Sequence, residues 1–236
     1  QRQMCIRDRY IRAGKPQRVV AQKCILACFN MIIPYILKEL PSDQSEALRK
    51  NVKLPLVYTK VVTSNWIPFI RAKSHEIYSP TQPYSRIKLD YPVSMGGYTF
   101  PNNPSNPASI HMVYTPIPFG SGITDGRELA RVGRSILLGM TFEDHERMIR
   151  KQLVEMFQPY GFEQDKDIKA ITVNRWSHGY SWHLNTLFED EDTANSIIEK
   201  ARKKVGNISI ANSDAGWAPF IPGAVSQAWR AVSELL

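Results

Sequence analysis

The chain closes on GNISIANSDAGWAPFIPGAVSQAWRAVSEL, residues 206–235: a short apolar run, a polar turn, a Gly/Pro-rich loop and a helical pattern. A strand that ends in a polar turn ahead of a helix leaves an open crevice at its carboxyl end. Ser213, Asp214 and Ala215 make the turn. Asp214 there either accepts hydrogen bonds from a ribityl or ribose hydroxyl or caps nearby backbone amides. Pro222 suits the first helical position, which leaves the amides of Gly223, Ala224 and Val225 free at the positive end of the helix dipole. Gly223 has no side chain and lets a planar ring come close. This start suits a phosphate or an electron-rich ring. An ordinary loop and helix start that packs a core shows the same pattern.

A second stretch, ITVNRWSHGYSW (171–182), puts Trp176, His178 and Tyr180 two residues apart. Trp176 and Tyr180 are either core aromatics with polar handles or faces that guide a cation by cation–π attraction. His178, between them, is either a satisfied structural histidine or a group that positions a ligand. Lys60 lies in LPLVYTKVVTSNW (54–66), rich in β-branched and aromatic residues, and so on a strand. Alternation gives it one face with Leu56, Tyr58, Val62 and Trp66. A lysine on an apolar face needs a partner or a purpose, or an edge from which to reach water.

A glycine loop, FGSGITDG (119–126), offers Gly120, Gly122 and Gly126 between a strand and a helix. The dinucleotide fingerprint needs its third glycine three residues after the second. Asp125 stands there instead. A carboxylate caps the helix and repels a pyrophosphate, so the stretch reads as a loop with an N-cap.

The elements around these residues form a mixed α and β chain without repeats. Strands are expected at 18–29, 54–66, 108–119, 167–176 and 207–211, with short strands and loops over the proline-broken 67–107. Helices are expected after Asn30, over 42–50 with Ser42 as N-cap, and over 125–140 with Asp125 and Glu128 as a capping pair. Further helices are expected over 141–158, 190–204 and 222–236. In the 141–158 helix, Thr141 and Asp144 cap, and His145, Ile149, Leu153, Met156 and Phe157 share a stripe. Residues 1–17 fit no periodic pattern and read as a tail or a sequence artefact.

With 236 residues, 43% of them hydrophobic and 22% charged, the chain is long enough for a sizeable core. Its net charge of +8 favours anionic partners, but the basic residues are scattered and ARKKVG (201–206) sits where a helix C-terminus takes cations anyway. No nucleic-acid motif accompanies the charge. Cys24 and Cys28, about 13 Å apart on an extended chain, cannot bridge. No cysteine or histidine spacing suggests a metal. A reducing, cytoplasmic setting is the default, with a periplasmic one open if a longer chain carries a signal. The apolar run 24–37 is too short to cross a bilayer.

The closing stretch resembles the C-terminal flavin-binding strand, loop and helix of the flavin-containing amine oxidase family. There a small-residue strand leads to an acidic residue, a loop and a Gly-Ala helix start beneath the isoalloxazine. Residues 175–180, Arg-Trp-Ser-His-Gly-Tyr, are similar to a segment of the bacterial branch termed spermidine dehydrogenase-like. LVYTKVVTSNW and RVVAQKCILACF also look like strands of that branch. The likeness spans about 18–236 and implies FAD as cofactor and a small-molecule amine, such as a polyamine, as substrate. It implies hydride transfer from the carbon next to nitrogen to flavin N5, giving an imine that water hydrolyses.

The resemblance implies a substrate-binding domain with a mixed sheet and helices over 42–204. It places pieces of a discontinuous Rossmann-like FAD-binding domain at 18–41 and 205–236. Ser213, Asp214, Ala215, Gly223, Ala224 and Val225 would bind cofactor. Trp176, His178 and Tyr180 would line the flavin or substrate face, and Lys60 would hold a water to flavin N5. The acidic run FEDEDT (188–193) either attracts polyamines or serves a helix N-terminus. The family opens on a Gly-x-Gly-x-x-Gly loop, which this sequence lacks, so the FAD diphosphate is expected to need a missing N-terminal segment. That lack also supports another expectation: a non-catalytic interaction module, or a remnant that lost its phosphate loop.

Overall fold

The computed structural model describes residues 6–236. In chain order the elements are β1 (Ile6–Arg12), β2 (Lys15–Ala21), β3 (Cys24–Leu26), α1 (Ile33–Ile36), α2 (Ser42–Arg49), β4 (Leu54–Thr63), α3 (Ile67–Arg71), β5 (Glu76–Tyr78) and β6 (Tyr84–Leu89). They continue with β7 (Ala108–Tyr114), α4 (Gly126–Gly139), α5 (Phe142–Phe157), α6 (Gln164–Asp167), β8 (Ile168–Tyr180), α7 (Glu191–Ala201), β9 (Ile208–Ile210) and α8 (Ile221–Ser233). The chain is mixed α/β, as its alternating patterns predict. It forms two units, one of residues 6–53 with 180–236 and one of Leu54–Gly179. These boundaries differ from those expected at 41/42 and 204/205, because α2 and α7 pack on each other within the first unit.

In the first unit β3 and β9 pair in parallel, Cys24 opposite Ile208 and Leu26 opposite Ile210. Ile33, Ala47, Leu48, Ala201, Ile210 and Ala215 form its apolar core. The stretch expected as a tail instead supplies β1, antiparallel to β2 across a turn in which Ala13 and Gly14 both have positive φ. That backbone is the one two-residue hairpins favour. Ser42 does not cap α2: the N-cap is Pro41, with no side-chain hydrogen bond. No disulfide joins Cys24 and Cys28, and Cys5 lies outside the described residues.

The second unit is a five-stranded sheet in the order β5-β6-β7-β4-β8. Val57, Thr59, Val61 and Thr63 of β4 are buried, and Val61 packs in a core with Ile87, Ile110, Met112, Ile149, Leu153 and Phe157. α5 therefore covers this face of the sheet. Its start is the expected capping box, with the Asp144 amide donating to Thr141 Oγ1 at 3.2 Å. α4 is capped by Asp125, whose Oδ1 accepts from the Glu128 amide at 2.8 Å. On the α5 stripe Gln152 is buried and Met156 only partly so. A register shift interrupts the β6–β7 ladder between Tyr84 and Arg86. There Gln152 accepts from the Tyr84 amide at 3.0 Å and donates to its carbonyl at 2.7 Å.

Candidate functional site

In the first unit the chain leaves β9 through Asn212, whose φ of 87° and ψ of 178° lie where glycine is the usual occupant. Its side chain holds the strain at both ends: Nδ2 donates to the Cys28 carbonyl and Oδ1 accepts from the Asp214 amide. Ser213–Gly216 then make a 3₁₀ turn that exits through Trp217, also left-handed at φ 48°. Asp214 is fully buried. Its Oδ1 lies 2.7 Å from Lys53 Nζ, and Oδ2 accepts from the Asn30 amide at 3.1 Å. The Asp214 carbonyl accepts from Asn30 Nδ2 and Asn51 Nδ2. Of the two roles open to Asp214, the structure shows the internal one. Its carboxylate anchors the turn, through a lysine and an asparagine that the sequence did not single out. Ala215 is buried in the apolar core, and the Ser213 carbonyl accepts from the Ala218 amide.

α8 begins at Ile221 with Pro222 in its first turn and no side-chain cap. The expectation of three free amides needs correction. Ala224 donates to the Phe220 carbonyl at 3.1 Å, and Val225 stands where a helical amide bonds back within the helix. Gly223 is the one of the three at an orphan position. A Cβ on Gly223 would fall 2.6 Å from Ala218 Cβ and 3.0 Å from the Ala218 carbonyl oxygen, so loop packing already demands glycine there. Around this helix start Phe220, Ile221 and Val225 are exposed. The helix start is thus an uncapped dipole end with one orphan glycine amide among exposed apolar groups. The loop at Gly120, Gly122 and Asp125 ends in the Asp125 cap and offers no pyrophosphate cradle.

In the second unit the sheet face opposite α5 carries the other expected residues. On β4, Tyr58 and Lys60 are half-buried and Val62 is exposed. Trp66 does not join them, because β4 ends at Thr63 and Trp66 caps α3. The Tyr58 ring meets the His111 ring edge-on at 5.0 Å and the Trp176 ring at 5.4 Å. The strand expected to stop at Trp176 runs on to Tyr180. His178 therefore follows Trp176 in strand alternation, Tyr180 ends the strand as the first residue of the 180–236 part of the first unit, and all three are exposed. Ser177 Oγ lies 2.9 Å from His178 Nδ1. Lys60 has the partner that its position required: its ammonium is bonded to the Asp90 carboxylate. Burial alone would raise the Asp90 carboxyl, but the Lys60 hydrogen bond and charge hold it below the ordinary value.

His111, opposite Lys60 on β7, was not foreseen as a site residue. Burial and then the Lys60 charge push its imidazole below the usual value, and its buried Nδ1 has no hydrogen-bond partner. Nothing local in the sequence marks it, since only register brings it beside Tyr58 and Lys60. Among the described residues no cluster of histidine, cysteine or carboxylate side chains is arranged to hold a metal, and no helix is long and apolar enough to cross a membrane.

The fold is similar to part of two solved structures whose proteins are oxidases of amines. It is similar to wild-type putrescine oxidase bound to putrescine, with a TM-score of 0.57 at 14% identity, over 92% of this chain and 43% of that one. It is also similar to cyclohexylamine oxidase from Brevibacterium oxydans, with a TM-score of 0.59 at 12% identity, over 93% of this chain and 43% of that one. The likeness is one of fold, and the chain spans less than half the length of these proteins. No protein-family profile and no curated protein matches the sequence significantly.

Proposed function

We propose that this chain is part of an FAD-dependent oxidoreductase that oxidises an amine. One observation carries the reading: in a fold similar to part of two amine oxidases, the sheet face opposite α5 presents Tyr58, Trp176 and a carboxylate-held Lys60 together. A bound flavin supplies the two-electron acceptor for the carbon next to the amine nitrogen. The Gly223 amide and the α8 dipole would hold the ring's electron-rich edge, with the Ser213–Ala215 turn, anchored by Asp214, fixing the entry to that helix. Ala224 and Val225 shape the same helix start, and Val225 adds exposed apolar surface. Tyr58, Trp176 and Tyr180 offer aromatic faces that orient the amine and exclude water, and His178 stands among them. Lys60, positioned by Asp90, is the group suited to hold a water or move a proton at Nζ. The likeness of Arg175–Tyr180 to the spermidine dehydrogenase-like branch supports an amine substrate. The FAD diphosphate would be held by a further segment that carries the glycine-rich loop.

The test is flavin retention. The full-length protein encoded around this sequence is purified with FAD, then assayed for dye reduction with primary amines. Retained flavin that amines bleach supports the reading. A full-length protein that keeps no flavin overturns it. A non-catalytic module then stands in front, a reading favoured by the internal use of the Asp214 carboxylate.

A further inference from the structure

On the face of the sheet opposite α5, three strands place their polar residues in one row. Lys88 on β6 and Lys60 on β4 are both in register with His111 on β7. Neighbouring strands lie about 4.8 Å apart, so the imidazole stands between two ammonium-bearing chains. The charges here do not balance. Asp90 takes Lys60, and Glu76, in register with Lys88, takes the Arg86 guanidinium instead. Lys60, Lys88 and Arg86 thus face two carboxylates.

Lys88 is the cation left over. It is only 5% exposed, and among the described residues no carboxylate lies within 4.0 Å of it. Its Nζ rests 3.5 Å from the centroid of the exposed Tyr91 ring, and its hydrogen bond and charge hold the Tyr91 hydroxyl below its ordinary value, so its partner there is a phenol and not a carboxylate. A buried ammonium without a carboxylate counter-ion is costly, and one phenol, through its ring and its hydroxyl, offsets only part of that cost. Beside it, His111 Nδ1 is buried with no hydrogen-bond partner. A neutral imidazole carrying its proton there donates one bond, and Lys88 donates others. One carboxylate satisfies both groups, whereas a second ammonium would meet an excess of positive charge. The aromatic wall begins next door, at the Tyr58–His111 contact.

We propose that Lys88 and His111 form a carboxylate subsite, and that the amine acted on at this face carries an acid group in place of a second ammonium. The substrate assignment rests on the amine-oxidation reading; the binding of a carboxylate does not.

The experiment follows the His111 imidazole resonances of the full chain by NMR, assigned with a His111→Gln variant, during titration with propionate, β-alanine, propylamine and inorganic phosphate. Propionate and β-alanine should shift them saturably and raise the His111 titration midpoint, because a bound anion favours the imidazolium. Propylamine should do neither. Lys88→Met should weaken propionate at least about tenfold, and Lys88→Arg, which keeps the charge and is the milder change at a buried position, should retain it. No response to propionate, or an equal response in Lys88→Met, overturns the subsite. Phosphate acting as strongly as propionate reduces it to a general anion site and overturns the substrate assignment. Loss of flavin from the full-length protein would instead sink the amine-oxidation reading while leaving these titrations intact.

Discussion

Lys53 Nζ and Asp214 Oδ1 lie 2.7 Å apart, and neither side chain is more than 5% exposed. They stand 161 residues apart in sequence. The pair ties the residue just before β4 to the strained turn after β9. Removing one partner leaves the other charge buried, which costs about 3–5 kcal/mol where it has been measured in other proteins. Lys53→Met and Asp214→Asn should each lose that order of stability in denaturant unfolding, and the double variant should lose less than the sum of the two. Single losses below about 1 kcal/mol would show that water or the Asn30 amide suffices.

His145 is fully buried on α5, where its Nδ1 lies 3.3 Å from the Tyr84 hydroxyl and its Nε2 has no partner. Burial and then the Arg175 charge hold its imidazole below the ordinary value, against a smaller pull from Asp144. Tyr84, bonded also to Thr59, is pushed up to about 12 by burial and stays protonated. A histidine depressed in the folded state binds fewer protons there than in the unfolded chain. Its contribution is complete above the unfolded value, about 6.5, and is lost as pH falls through the folded one. Stability should therefore drop in mild acid, and His145→Leu should flatten that slope. His111, depressed in the same direction, and the lowered Asp90 carboxyl contribute to the slope that remains.

Local signals in the sequence reach some of this structure and stop short of the rest. The Thr141–Asp144 box and the Asp125 cap are legible because both ends of each bond lie within three residues. The turn and helix at 206–235 are legible for the same reason. Asp214's partners are not, since Lys53, Asn30 and Asn51 come from a distant stretch. Alternation put Lys60 on a face with Tyr58, but only the pairing of β6, β7 and β4 shows that Asp90 and His111 share it. Gln152 reads as an interruption of the α5 stripe until the register shift at Tyr84 explains it.

Asp90 orients Lys60, and the pair should behave as a unit. The Asp90 carboxyl, held below its ordinary value of 3.8, contributes stability above that value and loses it as pH falls through the folded one. Asp90→Asn releases the ammonium. Lys60 should then react several-fold faster with an amine-acetylating reagent at neutral pH, read peptide by peptide by mass spectrometry. An unchanged rate would mean that the bond does not restrain Lys60 in solution. In the full-length enzyme proposed above, the same variant should lower kcat more than it raises KM, because a positioning role acts on chemistry rather than on binding.

The start of α8 separates packing from ligand approach. A methyl group at Gly223 would fall 2.6 Å from Ala218 Cβ, closer than real contacts allow, with the Ala218 carbonyl oxygen 3.0 Å away. Gly223→Ala should therefore cost about 1–3 kcal/mol in the chain without any cofactor, the usual penalty of overpacking. Ala218→Gly removes one of the two obstructing atoms and should restore part of the stability of Gly223→Ala. The measurement is thermal or denaturant unfolding of both single variants and the double. If the double is as stable as Ala218→Gly alone, the glycine is kept by the loop. Flavin affinity of the same three variants in the full-length protein then reads the second role. Loss of affinity that persists in the stability-restored double shows that the bare Gly223 backbone also meets the ring, whereas recovery of affinity together with stability assigns Gly223 to packing alone.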